Sequence, residues 1–258
     1  MKKQIILIAA ALALIGTLGA KENKKSKKKT KEVSGPVITA STSWSAAFAD
    51  IAGVDEVTAI APANLRHPPE YEITVSDIVK IQDSDIFIFA GFERMMQTLG
   101  TALSSDFEGA KPQQVKISLD NSIATVTSES RKIAAITRTE AENEKRLAEY
   151  IKAVEEGKKK FSGKKIRVLC NKNQTYLAKD LGFEIAGIFG PGPVTSEQIL
   201  DAQENNYDMI IDNVHNPVGS PLAEVAPDAK YVIWRNFPEK VERGALLKVI
   251  QENIKAAE

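Results

Sequence analysis

Two sets of four short apolar runs flank a proline-free stretch of about forty residues, 122–161, whose first glycine is Gly157. The first set is "PVITAS" (36–41), "EVTAIAP" (56–62), "DIFIFAG" (85–91) and "QVKISL" (114–119); the second is "KIRVLCN" (165–171), "FEIAGIFG" (183–190), "YDMIIDN" (207–213) and "AKYVIWRN" (229–236). Each run is short, rich in Ile, Val or Phe, and bounded by polar or turn residues, which is how a buried strand reads. Helical patterns lie between them near 43–52, 75–82 and 93–103, then near 173–181, 195–206, 220–225 and 239–257. Thr74 followed by Asp77 approximates a capping box at the start of one of these. Strand-helix alternation implies parallel sheets, because a parallel crossover needs a helix-length connection. The expected class is therefore α/β, with two lobes, each a four-stranded parallel sheet flanked by helices.

The intervening stretch is rich in Glu, Lys, Ala and Arg and keeps helical spacing at Ile133, Ile136, Leu147, Tyr150, Ile151 and Val154. It predicts one long backbone helix over 122–162, about 55–60 Å at 1.5 Å per residue, joining a lobe at 36–121 to a lobe at 163–258. Its apolar positions do not hold a heptad, which disfavours a coiled coil.

The first 35 residues have a different character. "MKKQIILIAAALALIGTLGAK" has two lysines, a short apolar run and small residues, the pattern of an export signal over 1–20. Leu18, Gly19 and Ala20 fit a lipoprotein processing site, but Lys21 stands where the lipid-bearing cysteine would be. "KENKKSKKKTKE" (21–32) carries seven lysines, two glutamates and no apolar residue, so 21–35 reads as a solvated tether. The chain has 34 basic and 34 acidic residues; residues 1–32 hold nine of the basic and two of the acidic ones, which leaves 25 against 32, about −7, for the folded part. An acidic body on a basic leash suits an anionic membrane surface and disfavours nucleic acid. The expected location is outside the cell membrane, periplasmic or on its outer face.

The single cysteine, Cys170, excludes an internal disulfide and a cysteine-based zinc cluster. Only two histidines are present, and both sit at strand exits in proline-stiffened turns: His67 in "NLRHPPEYEITVSDI" and His215 in "IIDNVHNPVG". Ligands of parallel sheets bind beyond the carboxyl ends of the strands. Four exits carry the informative residues: "STSW", "NLRHPPEYE", "CNKNQTY" and "DNVHNP", two from each half. Imidazoles beside carboxylates are the usual donors for divalent transition metals, so His67 and His215 facing one another across a cleft would make such a site. No phosphate loop, dinucleotide fingerprint or nucleophile elbow is present. Cys170 paired with His215 as nucleophile and base is the one hydrolytic reading, and a buried strand-end cysteine is much the commoner use of that residue.

The motif "HPPEYEITVSDI" followed by "DIFIFAGFE" resembles the zinc- and manganese-type (cluster A-I) substrate-binding proteins of bacterial metal ABC transporters. In those proteins a histidine-containing motif leads into Glu-Tyr-Glu and a Ser-Asp helix start. The likeness extends over 36–258 and includes "NKNQTYLAKDLGFEIAGIFGP". It implies two rigid lobes that capture a metal ion and deliver it to a membrane permease, acting as a monomer and without catalysis. The metal positions diverge from that pattern. Pro69 stands where the first histidine would precede Glu70, the second would fall within Ser118 to Asn121, and Asn171 and Asn236 occupy the third and fourth positions. The ligand set that the resemblance and the residues together leave is His67 and His215 with Asp212, Glu70 or Asp120 as carboxylate donors, and with Trp44, Asn171 and Asn213 around them. The expected cargo is zinc or manganese. Two other uses of the fold stay open: a small organic or metal-chelate ligand held by the cleft asparagines, and a surface adhesin with a vestigial cleft.

Overall fold

A computed structural model of the chain describes residues 35–104 and 112–258. The expected export signal and all but the last residue of the tether lie outside that range. Residues 36–258 form one compact unit. The first half runs β1 (Ile38–Ala40), α1 (Ser43–Ile51), β2 (Thr58–Ala59), α2 (Val75–Gln82), β3 (Ile86–Phe89), α3 (Met95–Ser104) and β4 (Gln113–Lys116). The linking segment holds α4 (Ile123–Thr137) and α5 (Glu140–Phe161). The second half runs β5 (Arg167–Asn171), α6 (Thr175–Asp180), β6 (Glu184–Phe189), α7 (Ser196–Glu204), β7 (Met209–Asn213), α8 (Ser220–Val225), β8 (Lys230–Trp234) and α9 (Ala245–Ala257).

The two halves repeat one topology: β2-β1-β3-β4 in the first sheet and β6-β5-β7-β8 in the second, parallel throughout. This is the expected α/β architecture. β2 is shorter than its apolar run because the pairing fades into a loop: Ile60 and Ala61 still donate to Ala40 and Ser41, and Pro62 then offers no N–H. The Thr74 capping box is present with Asp77 as its return partner.

Strand alternation divides the core into three. Ile86 and Ile88 of β3, Val168 and Cys170 of β5, and Met209 and Ile211 of β7 face a central cluster that also takes Phe48 of α1, Tyr150 and Val154 of α5, and Leu246 and Ile250 of α9. Phe87 and Phe89 face a smaller outer cluster in the first lobe, and Leu169 and Ile210 face another in the second. The strands β1, β3, β5 and β7 at the centre of the sheets are buried on both faces, hence their unbroken apolar runs in the sequence. The lobes therefore share one core through the helical layer between them.

The linking segment is helical, as its composition predicts, but it is two helices rather than one. Arg138 caps α4 in the left-handed conformation (φ 61°, ψ 42°), and the chain turns back. Ser130 meets Asn143 (3.0 Å) near the break, and the Asn121 carbonyl just ahead of α4 accepts from Tyr150 farther along α5 (2.8 Å), so the two helices run antiparallel as a hairpin. The helical spacing was legible, but no Gly or Pro marks the reversal. Behind the hairpin, Arg146 of α5 donates to the Asp50 carboxylate (2.8 Å) and carbonyl (3.0 Å) at the end of α1, and the Gly244 N–H ahead of α9 donates to the other Asp50 oxygen (2.8 Å). One buried carboxylate thus fastens both lobes to the spine.

Candidate functional site between the lobes

The carboxyl ends of the strands meet along one cleft. From the first lobe come Thr42, the N-cap of α1, Trp44 two residues on, the Pro68–Glu70 3-10 turn, Phe92 after β3 and Leu119 after β4. From the second comes Phe237 after β8. Together with Pro69 these residues line a recess of about 190 Å³, counted with the solvent at its mouth. Its wall is apolar, and the Trp44 and Phe237 rings lie 5.7 Å apart across it. The lobes are bridged beside it by Asn121, which accepts from Trp44 Nε1 (3.1 Å) and donates to the Asn236 carbonyl (2.7 Å).

His215 lies under this wall. Its ring stacks on Phe237 with centroids 3.6 Å apart and planes 13° apart, and the residue is 9% exposed. Burial pushes its pKa down to about 4; the Arg235 charge acts in the same direction, a backbone hydrogen bond at Arg66 opposes it, and the charges of His67 and Arg66 lower it further. The backbone at Arg66 thus favours the charged ring, without outweighing burial. Nε2 of the ring is buried and has no hydrogen-bond partner. His67 itself is exposed and immediately precedes the 3-10 turn. The charges of Arg66 and His67 on this loop act on the His215 ring.

The carboxylates are placed differently. Asp212 is fully buried; one oxygen accepts from Asn171 Nδ2 (3.1 Å) and the Asn213 N–H (2.7 Å), the other from the Gly219 N–H (2.7 Å) and the Tyr231 hydroxyl (2.8 Å). It organises the β7 exit and has no lone pair directed elsewhere. Gly219 has to be glycine there, because a Cβ would stand 3.0 Å from the same carboxylate and 2.9 Å from Phe189. Asp120 is taken up by Ser122 and Thr125 at the start of α4. Glu70 is exposed on the 3-10 turn. Asn171 is held by Asp212 and Asn173, Asn213 accepts from the His215 N–H (3.0 Å), and Asn236 pairs with Gln174 (2.7 Å) and Asn173 (3.0 Å). Among the described residues no three of His, Cys, Asp and Glu are grouped to hold a metal ion.

Two features escaped the sequence reading. Phe237, Phe92 and Leu119 also stand at strand exits, and the topological rule that singled out the other four loops applies equally to theirs. Glu93 is buried at the β3 exit, where it accepts from the Ser41 hydroxyl (2.5 Å) and the Ala90 N–H (2.8 Å), the first-lobe counterpart of Asp212. Cys170 sits in the core, and burial pushes its thiol up to about 12, so no thiolate nucleophile is available at neutral pH.

No protein-family model matches the sequence, and no curated protein matches it. Solved structures do. The laminin-binding protein Lmb of Streptococcus agalactiae, described as a bifunctional protein with adhesin and metal transporting activity, superposes with a TM-score of 0.66 at 17% identity over 86% of this chain and 98% of that one. The laminin-binding protein Lbp of Streptococcus pyogenes gives 0.63 at 16% identity over 87% and 98%. The Mn-bound periplasmic metal binding protein of Candidatus Liberibacter asiaticus gives 0.61 at 17% identity over 86% and 98%. None of these is described as an enzyme. The chain has the two-lobed fold that these laminin-binding and metal-binding proteins share.

Proposed function

We propose that this chain is an exported solute-binding protein that captures a divalent transition metal, zinc or manganese, in the interlobe cleft and presents it to a membrane ABC permease. The carrying observation is His215. Burial keeps its ring neutral at neutral pH, and Nε2 is left without a partner. A neutral imidazole with a free nitrogen is what a metal ion binds. His67, on the first-lobe loop whose charges act on that ring, is the second imidazole. Glu70 follows it by three residues and is the one proposed carboxylate not already taken up by the protein. The metal-bound and metal-transporting proteins that share the fold support the same reading.

The N-terminal signal pattern and the lysine-rich tether support export and retention near an anionic membrane surface. Among the described residues no helix is long and apolar enough to cross a membrane. The shared core and the Asp50 junction support transfer with little relative motion of the lobes.

Equilibrium dialysis with metal analysis tests the assignment. The wild type is expected to retain a stoichiometric amount of zinc or manganese, and the His67→Ala, His215→Ala double variant to lose at least about tenfold in affinity, the worth of a kilocalorie or so of coordination. Equal affinities would remove both histidines from the site.

A further inference from the structure

Resting on the metal-capture reading, we propose that the first-lobe segment 62–70 is a lid over the cleft, and that an ion enters and leaves by its displacement while the lobes stay together. The site itself requires an opening. Nε2 of His215 is buried, and the recess lined by Phe237, on which the His215 ring stacks, encloses room for about one water. An ion with its water shell is larger than that.

The lobes are badly placed to supply the opening. On one side Tyr150 donates to the Asn121 carbonyl (2.8 Å), Asn121 Nδ2 donates to the Asn236 carbonyl (2.7 Å), and Gln174 holds the Asn236 side chain (2.7 Å). On the other, Asp50 joins Arg146 of α5 to the Gly244 N–H ahead of α9. One core runs between these joints and takes Phe48, Tyr150 and Leu246 from three different helices. Parting the lobes would break both joints and wet that core at once.

Segment 62–70 is built differently. The Ala61 N–H makes the last bond of the β2 side, to the Ser41 carbonyl (3.0 Å), and Pro62 offers no N–H to continue it. Beyond Glu70, Tyr71 and Ile73 pack on the outer cluster of the first lobe, and the Tyr71 hydroxyl donates to Asp77 (2.8 Å). Those are the fixed ends. Of the nine residues between them only Pro68 is buried, and the bonds inside the segment are single turns, Leu65 N–H to the Pro62 carbonyl and Glu70 N–H to the His67 carbonyl. Arg94 fastens the far end: its N–H donates to the Pro69 carbonyl (2.7 Å), and its guanidinium pairs with Glu72 at 2.6 Å, both side chains exposed. Few buried contacts and exposed bonds give such a segment a lower opening free energy than the sheets around it. Its proline tip nevertheless shuts the recess, because Pro68 and Pro69 line it together with Phe237 of the other lobe.

Two variants of the full chain separate lid from lobes. Arg94→Ala releases Glu72 and leaves every residue of the recess in place, whereas Asn121→Ala cuts the interlobe bridge. Zinc uptake is followed by its transfer from a fluorescent zinc indicator. Association and dissociation should both quicken in Arg94→Ala by about two- to fivefold, the range an exposed ion pair commands, with affinity nearly unchanged, and Asn121→Ala should keep the wild-type rates. A faster Asn121→Ala beside an unchanged Arg94→Ala would assign the opening to the lobes and overturn the lid; wild-type rates in both would overturn it too. A second reading needs no metal. Trp44 lines the recess while Trp234 is fully buried, so acrylamide quenching of the metal-free protein reports mainly on Trp44 and should rise in Arg94→Ala. If zinc binds none of the proteins, metal capture fails and the quenching alone decides for or against the lid.

Discussion

At the scale of the residue, position in the sequence and role in the fold part company according to partners that lie far along the chain. His215 and Asp212 were both legible as strand-exit residues near a cleft. Only the structure shows that Asp212 is saturated by Asn171, Gly219 and Tyr231, the first 41 positions away and the last 19, whereas Nε2 of His215 is left free. The neutral state of His215 has a measurable consequence. Its pKa falls from 6.5 to about 4 on folding, chiefly by burial, so between those values the unfolded chain takes up a proton that the folded protein refuses. Stability is therefore lost as pH falls through that window, by at most about 3 kcal/mol, and is intact above it. Urea midpoints measured from pH 7 down to pH 4.5 should decline more steeply for the wild type than for His215→Gln. Parallel declines would mean that the ring is not held neutral.

At the scale of the element, the strands and the order of helices were readable because the central strands β1, β3, β5 and β7 are buried on both faces, which writes continuous Ile-, Val- and Phe-rich runs into the sequence. The bend in the spine was not readable. It is made at Thr137-Arg138-Thr139, where tertiary pairing of α4 with α5 imposes a left-handed residue that no glycine announces. An L-residue there is strained by about 1 kcal/mol, part of which glycine recovers and part of which it returns through a more flexible unfolded chain. Arg138→Gly is expected to raise stability by about 0.5 kcal/mol, read as a higher thermal midpoint. A lowered midpoint would show that the Arg138 side chain, rather than its backbone, holds the turn.

At the scale of the whole molecule, two copies of one sheet topology are joined by a helical layer whose interior belongs to both. Tyr150, fully buried, donates to the Asn121 carbonyl (2.8 Å), and Asn121 in turn spans the cleft to Asn236. Arg146, Asp50 and Gly244 close the opposite side. Separating the lobes would open that common core, so the cleft is held close to one width and ligand choice falls to the loops that line it. The repeat of the topology was visible in the sequence, but the aromatic wall was not, because Phe237 and Phe92 look like any other loop phenylalanines until the strand exits are brought together. The central claim is that one ion can engage an imidazole from each lobe. Because the chain has only two histidines, ¹⁵N-histidine NMR during a zinc or manganese titration resolves both rings without ambiguity. With diamagnetic zinc, Nε2 of His215 should move to the shift of a metal-bound nitrogen, and the His67 ring should change at the same stoichiometry. Two imidazole spectra that stay unchanged at saturating zinc would contradict it.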